Sequence, residues 1–250
     1  MPEPAFDILV VGAGHAGCEA ASAAARLGAR TALLTISAER VAQMSCNPAI
    51  GGLAKGQIVR EIDALGGLMA QVADSTAIQY RLLNRSKGPA VRSPRAQCDR
   101  QAYVLAMRES LARVPNLALL EETVTDLLES RRAGIAGVRC ASGSVYRARA
   151  VVLTTGTFLR GILHRGDKMW PGGRIDEPAA DRLSAALRRA GLRLGRLKTG
   201  TPPRVDGRTL DYARLAEQPS DRKIVRFSFS SPPRPMEPMS CWITWTTPEA

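Results

Sequence analysis

The stretch from Phe6 to Gly28 restricts the possible folds of this chain more than any other. Ile8-Leu9-Val10-Val11 is an apolar run without alternation, the pattern of a strand buried on both faces. Gly12-Ala13-Gly14-His15-Ala16-Gly17 follows, and the alanine-rich run Cys18 to Leu27 predicts a small-faced helix packed closely on that strand, with Ala21 towards the sheet. After Gly28 a second strand is expected over Thr31 to Leu34. In this setting Gly12 permits a sharp turn, Gly14 lets backbone N–H groups approach a pyrophosphate, and Gly17 brings the helix close to the strand. The anion then meets the positive end of the helix dipole. Gly12, Ala13, Gly14, His15, Ala16 and Gly17 are therefore candidate dinucleotide-binding residues, with a purely structural tight turn as the alternative. The second strand ends in Leu34-Thr35 and not in the acid that often holds a ribose in NAD-binding folds, so this turn alone leaves the cofactor open.

Composition narrows the function. A chain of 250 residues accommodates one large or two small domains with a proper core. No apolar run reaches the roughly 18 residues of a membrane span. Met1-Pro2-Glu3-Pro4 lacks a basic leader region, so no signal peptide and no membrane association are expected, and the cytoplasm or an organelle of bacterial descent is the default location. The five cysteines, Cys18, Cys46, Cys98, Cys140 and Cys241, are odd in number, scattered and without a CxxC pair, which argues against a disulfide framework and a zinc site. With only His15 and His164 available, neither a histidine metal centre nor a Ser-His-Asp triad is expected.

The excess of 35 Lys and Arg over 23 Asp and Glu gives a net charge of +12 and suits a polyanionic partner. Arg81, Arg85, Lys87, Arg92, Arg95 and Arg100 cluster with only Asp99 opposing them in sequence, and Arg182 to Arg208 holds a second dense group. Nucleic-acid contact and solvated faces are the two readings of these clusters.

Farther along, the turn-rich segment Gln43 to Gly52 contains Cys46. It leads into a helix expected over Leu53 to Leu65, with Ile58, Ile62 and Leu65 at helical spacing and Gly66-Gly67 closing it. A thiol shortly before a helix N-terminus can act as a nucleophile, and a small buried space-filler is the equal alternative for Cys46. Lys87 to Arg95, interrupted by Gly88, Pro89 and Pro94, is expected to be an irregular loop displaying its basic side chains. Asp99 to Val114 predicts an amphipathic helix ended by Pro115-Asn116. Leu117 to Leu120 is expected as a buried strand, and Val124 to Leu128, Gly134 to Val138 and Ser144 to Tyr146 as a β-meander over the sheet. Ala150 to Thr157 predicts another doubly buried strand running into a Thr/Gly turn. Trp170 to Arg174 is expected as a loop and Ala179 to Ala190 as a helix with Leu183 and Leu187 on one face, closed by Gly191. Gly195 to Arg204 lacks the spacing of a nucleotide-triphosphate loop, and Ser228 to Pro238 is expected to be irregular. This order predicts an α/β fold of the two-dinucleotide-binding flavoprotein type.

Several motifs stand together in order: Gly12 to Gly17, Cys46-Asn47-Pro48-Ala49-Ile50-Gly51-Gly52, Asp63-Ala64-Leu65-Gly66-Gly67, Gly88-Pro89-Ala90-Val91-Arg92, Arg95-Ala96-Gln97, Gly172-Gly173-Arg174 and Gly195 to Arg204. In this set the chain closely resembles the GidA (MnmG) family of enzymes that install a carboxymethylaminomethyl or aminomethyl group at C5 of the wobble uridine of tRNA. The resemblance spans essentially the whole chain. It implies an FAD/NAD(P)-binding Rossmann-like domain, FAD as cofactor, NADH as reductant, methylenetetrahydrofolate as one-carbon donor, the GTPase MnmE and tRNA as partners, and a homodimer. The family's two functional cysteines map onto Cys46 and Cys241, the FAD pyrophosphate onto Gly12 to Gly17, and the adenosine part onto the neighbourhood of Val124. Arg85, Lys87, Arg92 and Arg95 become candidates for gripping the anticodon stem, and no metal is implied.

This sequence also departs from the family. Trp245 stands where the family usually has His, and Ala179 stands at a position that contacts FAD in relatives. Relatives are over twice as long, so the chain is expected to be an N-terminal portion lacking the return strand of the flavin site, the rest of the NADH-side insertion and the helical domain that docks MnmE. Residues 1–156 are expected to form the first part of the FAD domain and 157–250 an inserted, incomplete α+β domain on the substrate and NADH side. The rival readings are a generic FAD/NAD oxidoreductase acting on a small molecule and a non-catalytic fragment that binds RNA or a partner.

Overall fold

The structure is a computed structural model in which residues 5–130, 134–232 and 235–246 are described. In chain order the first elements are β1 (Ile8–Val11), α1 (His15–Arg26), β2 (Thr31–Thr35), β3 (Ala49–Gly51), α2 (Lys55–Ala64), α3 (Met69–Thr76) and β4 (Ala77–Leu83). Next come β5 (Ser93–Cys98), α4 (Arg100–Ala112), β6 (Leu117–Glu121), β7 (Val124–Ser130), β8 (Gly134–Cys140), β9 (Val145–Arg147) and β10 (Ala150–Leu153). The last are β11 (Ile162–Arg165), β12 (Lys168–Pro171), α5 (Leu183–Arg189), β13 (Ala216–Gln218) and β14 (Cys241–Ile243). Among the described residues, no helix is long and apolar enough to cross a membrane.

The chain forms two compact units, residues 1–43 with 107–198 and residues 44–106 with 199–250. The first unit is built on a four-stranded sheet of order β10-β1-β2-β6, with every neighbouring pair parallel. Alternation along β1 and β2 assigns its two faces. Leu9, Val11, Ala32 and Leu34 join a core with Val124, Leu127 and Val138 of the antiparallel β7-β8-β9 meander and with Leu183 and Leu187 of α5. Val10 and Leu33 point the other way, where the small buried residues Cys18, Ala21 and Ala25 let α1 lie close to the sheet. Each fully buried Val or Leu side chain here stabilises the fold by about 1.5–3 kcal/mol. This is the expected α/β, Rossmann-like arrangement with its meander.

Two strands in this sheet are less covered than their apolar sequences predict. Along β10, Ala150 and Val152 are exposed, because β10 is an edge strand of the sheet. Along β6, at the opposite edge, Leu117 and Leu120 are only half-buried and Leu119 is exposed. The expected loop at Trp170 is instead one arm of a hairpin, β11 with β12, in which Leu163 faces Trp170.

The second unit is α+β. Its sheet is antiparallel, of order β3-β5-β4. The strands β4 and β5 carry little hydrophobic alternation, and Pro94 and the basic residues disguise them. Ser93, Pro94 and Arg95 are therefore not loop but the start of the central strand, with Leu82 opposite Pro94 and Arg81 opposite Arg95. A proline is tolerated there because it is the second residue of the strand, and its carbonyl still accepts from Gly52 N at 2.9 Å. Helix α2 also turns differently from its apolar spacing. Gly56, Val59 and Asp63 are buried while Ile58 is 53% and Leu65 83% exposed. Close approach selects this face: a Cβ on Gly56 would lie 2.5 Å from Pro94 O.

Buried carboxylates hold the second segment of this unit onto the first. Asp74 accepts from Tyr80 Oη at 2.8 Å, Phe227 N at 3.0 Å and Ser228 N at 2.8 Å, and Asp63 accepts from Phe229 N at 3.0 Å. Phe227 itself is fully buried. The strands β13 and β14 pair antiparallel, placing Gln218 opposite Cys241.

Candidate functional site

In the first unit the turn after β1 has the form that its glycines predict. Gly12 adopts φ +101°, which favours glycine, and its N–H donates to Leu34 O at 2.8 Å. Gly17 is required by contact, since a Cβ there would lie 1.8 Å from Gly12 O and 2.7 Å from Thr154 Oγ1. The Thr154 hydroxyl donates to Gly12 O at 2.8 Å and so ties the end of β10 to the turn. Thr154 is a supporting residue that the sequence marks only by its place in the Thr/Gly turn after β10.

Gly14 differs from both. It caps α1 with φ −73° and ψ −177°, a conformation open to any residue, and a Cβ on it would meet nothing within 4 Å. No side chain caps the helix and its first turn carries no acid, a terminus of the kind that receives an anion. Among the described residues nothing within 4 Å requires a glycine at 14, and a residue without a side chain leaves room for a phosphate at the helix N-terminus. This is the observation by which the turn fits a dinucleotide pyrophosphate. His15, the first residue of the helix, has its imidazole pushed below the usual histidine range, by burial first and then by the Arg174 guanidinium. It therefore stands neutral beside the turn at physiological pH. Val124 opens β7 with its side chain buried in the core, opposite Cys140 of β8.

Arg174 is fixed over the Phe158 ring at 5.0 Å and paired with Glu177, which also accepts from Arg40 at 2.8 Å. Gly173 makes the stacking possible, because a Cβ there would lie 2.1 Å from the Phe158 ring.

The cysteines sort by burial. Cys18 and Cys98 are buried, and burial pushes each thiol up to about 12, while Cys140 is pushed up to about 11 by the same cause. None of the three is a serviceable nucleophile near neutral pH. Cys46 is exposed and Cys241 half-buried, and both belong to the second unit. Cys46 lies on the loop before β3, its thiol turned to Gly200 O at 3.8 Å and its carbonyl accepting from the Arg100 guanidinium at 3.1 Å. It is thus no buried space-filler. Cys241 is held by two amides: its thiol donates to Gln79 Oε1 at 3.2 Å and accepts from Gln97 Nε2 at 3.7 Å. Ala49, Gln97 and Gln79 form one row across β3, β5 and β4, and the two glutamines of that row hold the Cys241 thiol. Gln79 escapes sequence inspection because the strand that carries it does. Gln97 lies within a motif but shows no role until Cys241 is beside it.

The basic segment is a closed loop. Asn84, at φ +56°, donates to Val91 O at 3.3 Å, and Arg92 Nε donates to Arg85 O at 3.2 Å. Lys87 and Arg92 are exposed; Arg85 is exposed but pairs with Asp221 at 2.6 Å, which also holds Arg81 at 3.4 Å. The opposing acid comes from far along the chain, beyond the reach of a local charge count. Arg95 is half-buried in β5 and is not displayed on the loop as expected, because strand pairing with β3 and β4 takes up its backbone. Trp245 is exposed.

The parallel sheet, the glycine turn and the uncapped helix define an α/β protein of the dinucleotide-binding, Rossmann-like class. More particularly, the family model for glucose inhibited division protein A (GidA) matches residues 7–250, and the chain belongs to this family. It is 51% identical over 244 residues to the tRNA uridine 5-carboxymethylaminomethyl modification enzyme MnmG of Phocaeicola vulgatus and 53% identical over 245 residues to that of Porphyromonas gingivalis. Each match covers 98% of this chain and 39% of the relative, so the chain spans about two fifths of the length of these curated relatives. Among solved structures, GidA of Aquifex aeolicus matches with a TM-score of 0.93 at 49% identity, over 98% of this chain and 42% of that one. A GidA-related protein from Thermus thermophilus matches with a TM-score of 0.54 at 26% identity, over 76% of this chain.

Proposed function

We propose that this chain is the FAD-binding and thiol-bearing part of an enzyme that modifies C5 of the wobble uridine of tRNA. The observation that carries the reading is its identity of about half to MnmG enzymes over 98% of its length, a span containing the glycine turn and both accessible thiols. Gly12 to Gly17 hold the FAD pyrophosphate through the N-terminal N–H groups of α1, and the main chain at Val124 lies beside the adenosine part. When bound, the flavin supplies reducing equivalents drawn from NADH and a carrier for the one-carbon unit of methylenetetrahydrofolate.

The two thiols act on the base. Uracil C5 is a weak nucleophile until a group adds at C6. Cys46, the exposed thiol, adds as thiolate, forming an S–C6 bond and placing negative charge across C5 and the C4 carbonyl. Once the carbon unit is attached, Cys241 takes the C5 proton and the S–C6 bond breaks, restoring the ring and the Cys46 thiolate. Lys87 and Arg92, with Arg85, contact RNA phosphates. Arg95 contributes less, from within β5. For the whole protein we propose a cytoplasmic homodimer working with the GTPase MnmE.

The test is twofold. Titrating the purified chain with FAD should show saturable binding by flavin fluorescence. In the full-length protein, Cys46→Ser and Cys241→Ser should each abolish nucleoside modification, read by mass spectrometry, while flavin binding persists. No saturable FAD binding, or full modification by both variants, refutes the reading.

A further inference from the structure

The surroundings of Cys241 carry one inference beyond this. The Cys241 sulfur lies between two glutamine side chains of opposite function: Gln79 presents a carbonyl oxygen at 3.2 Å and Gln97 an amide nitrogen at 3.7 Å. Gln79 is oriented independently of the sulfur, because its Nε2 donates to Gln218 O at 2.8 Å, so its Oε1 must face Cys241. Gln79 is buried, and it bridges both members of the Gln218–Cys241 pair of β13 and β14. Gln97 stands opposite Gln79 in the β4–β5 register, hence on the same face of the sheet. Its Oε1 is buried and has no hydrogen-bond partner among the described residues, and its Nε2 goes to the sulfur.

A thiol needs an acceptor for its proton and a thiolate needs a donor. We propose that Gln97 and Gln79 are positioning residues for Cys241: the Gln97 N–H steadies the sulfur as thiolate and the Gln79 oxygen steadies it as thiol, so the side chain takes up and returns a proton without losing a partner in either state. This rests on the reading of Cys241 as the group that exchanges the C5 proton. Charged groups on the strands around it are Glu217 on β13, bonded by Ser240 Oγ at 2.6 Å, Arg81 on β4, paired with Asp221, and Arg95 on β5. All remain unchanged in the variants below, so differences between variants report the amides.

The test is alkylation of Cys241 by iodoacetamide as a function of pH, read on its peptide by mass spectrometry, with Cys46 in the same samples as internal reference. The thiolate displaces iodide and forms an S–C bond, so the rate follows the thiolate fraction. Below the midpoint of the profile, Gln97→Met should slow alkylation about three- to tenfold and Gln79→Met should speed it by a similar factor, the spread of one hydrogen bond. Gln97→Glu keeps the outline of the side chain and adds a negative charge, and should move the midpoint up further than Gln97→Met. General loosening would expose the sulfur and speed both Met variants, so shifts of the same sign, or none, overturn the proposal. Should Gln97→Met fail to fold by circular dichroism, an unmoved midpoint in Gln97→Glu overturns it equally. The assay uses neither flavin nor tRNA. If Cys241→Ser retained full modification, the role of the thiol in catalysis would fall while these profiles still judged the amide frame.

Discussion

Two alanine substitutions three residues apart should separate the structural from the ligand-binding role of the glycine turn. At Gly17 the added methyl would sit 1.8 Å from Gly12 O and 2.7 Å from Thr154 Oγ1, where real Cβ contacts stay beyond 3.0 Å. The obstacle is a backbone carbonyl that Thr154 Oγ1 holds by a hydrogen bond at 2.8 Å, so no flexible side chain can swing aside. The turn must open by more than about 1 Å, at a cost near the upper end for overpacking, about 3 kcal/mol. For a chain of this size that lowers the melting temperature by about 10 °C. At Gly14 the methyl meets nothing within 4 Å and the backbone already adopts an ordinary extended conformation. Gly14→Ala should therefore leave the fold intact, or stabilise it by about 0.5–1 kcal/mol through the unfolded chain.

Flavin binding should invert the order of damage per unit of stability. The Gly14→Ala methyl fills the space in front of the α1 N–H groups and displaces the pyrophosphate from about two charge-assisted hydrogen bonds. A loss of about 3 kcal/mol, or roughly 100-fold in FAD affinity, follows. Melting curves with and without FAD, together with a fluorescence titration, measure both quantities on the same samples. A stable Gly14→Ala protein that binds FAD as wild type would show that the open space before α1 is not the pyrophosphate slot. A Gly17→Ala protein as stable as wild type would refute the packing argument.

Four other outcomes are expected. Native iodoacetamide at about pH 8 should label Cys46 and Cys241 and spare Cys18 and Cys98, whose thiols, pushed up to about 12, are ionised at roughly one part in ten thousand there. Unfolding should release them, and rapid native labelling of either would contradict their burial. Asp74→Ala, which strands the hydroxyl of Tyr80 and the N–H groups of Phe227 and Ser228, should lower stability by about 3 kcal/mol or more in urea titration at constant slope. The folded value of His15 lies below its unfolded 6.5, so the unfolded chain binds the proton better and stability falls as pH drops below the unfolded value. In melts between about pH 7.5 and pH 5, His15→Gln should remove that part of the slope. Lys87→Ala combined with Arg92→Ala should reduce the salt dependence of tRNA binding by about two phosphate contacts, measured by anisotropy at two salt concentrations.

What the sequence showed and what it hid have the same physical origin. The run Ile8 to Val11 and the turn after it were legible because a parallel strand covered on both faces has to be continuously apolar. The same rule overestimates β6 and β10, whose runs are as apolar while their edge positions leave one residue in two more open. In the second unit the information lies in pairings between distant segments. Asp221 pairs with Arg81 and Arg85, and Phe227 and Ser228 reach back to Asp74. No local period records such bonds, and β4 and β5 themselves show little hydrophobic alternation. Helix α2 shows the same limit, since Gly56 and not Ile58 decides which face is buried.

Cys241 illustrates how such pairings build the surroundings of one thiol. Cys241 stands far along the chain from Gln79 and Gln97, yet the β4–β5 register sets the two glutamines side by side and they hold its sulfur. A shift of β5 by one residue against β4 would turn Gln97 to the other face and leave Cys241 with an acceptor alone. The register of this short sheet therefore sets which amide groups face the thiol, and Pro94, by barring a ladder N–H at the second position of β5, restricts the registers it can take. The surroundings of Cys241 depend in this way on a proline three residues from the nearer glutamine, a dependence that becomes visible only when the strands are seen side by side.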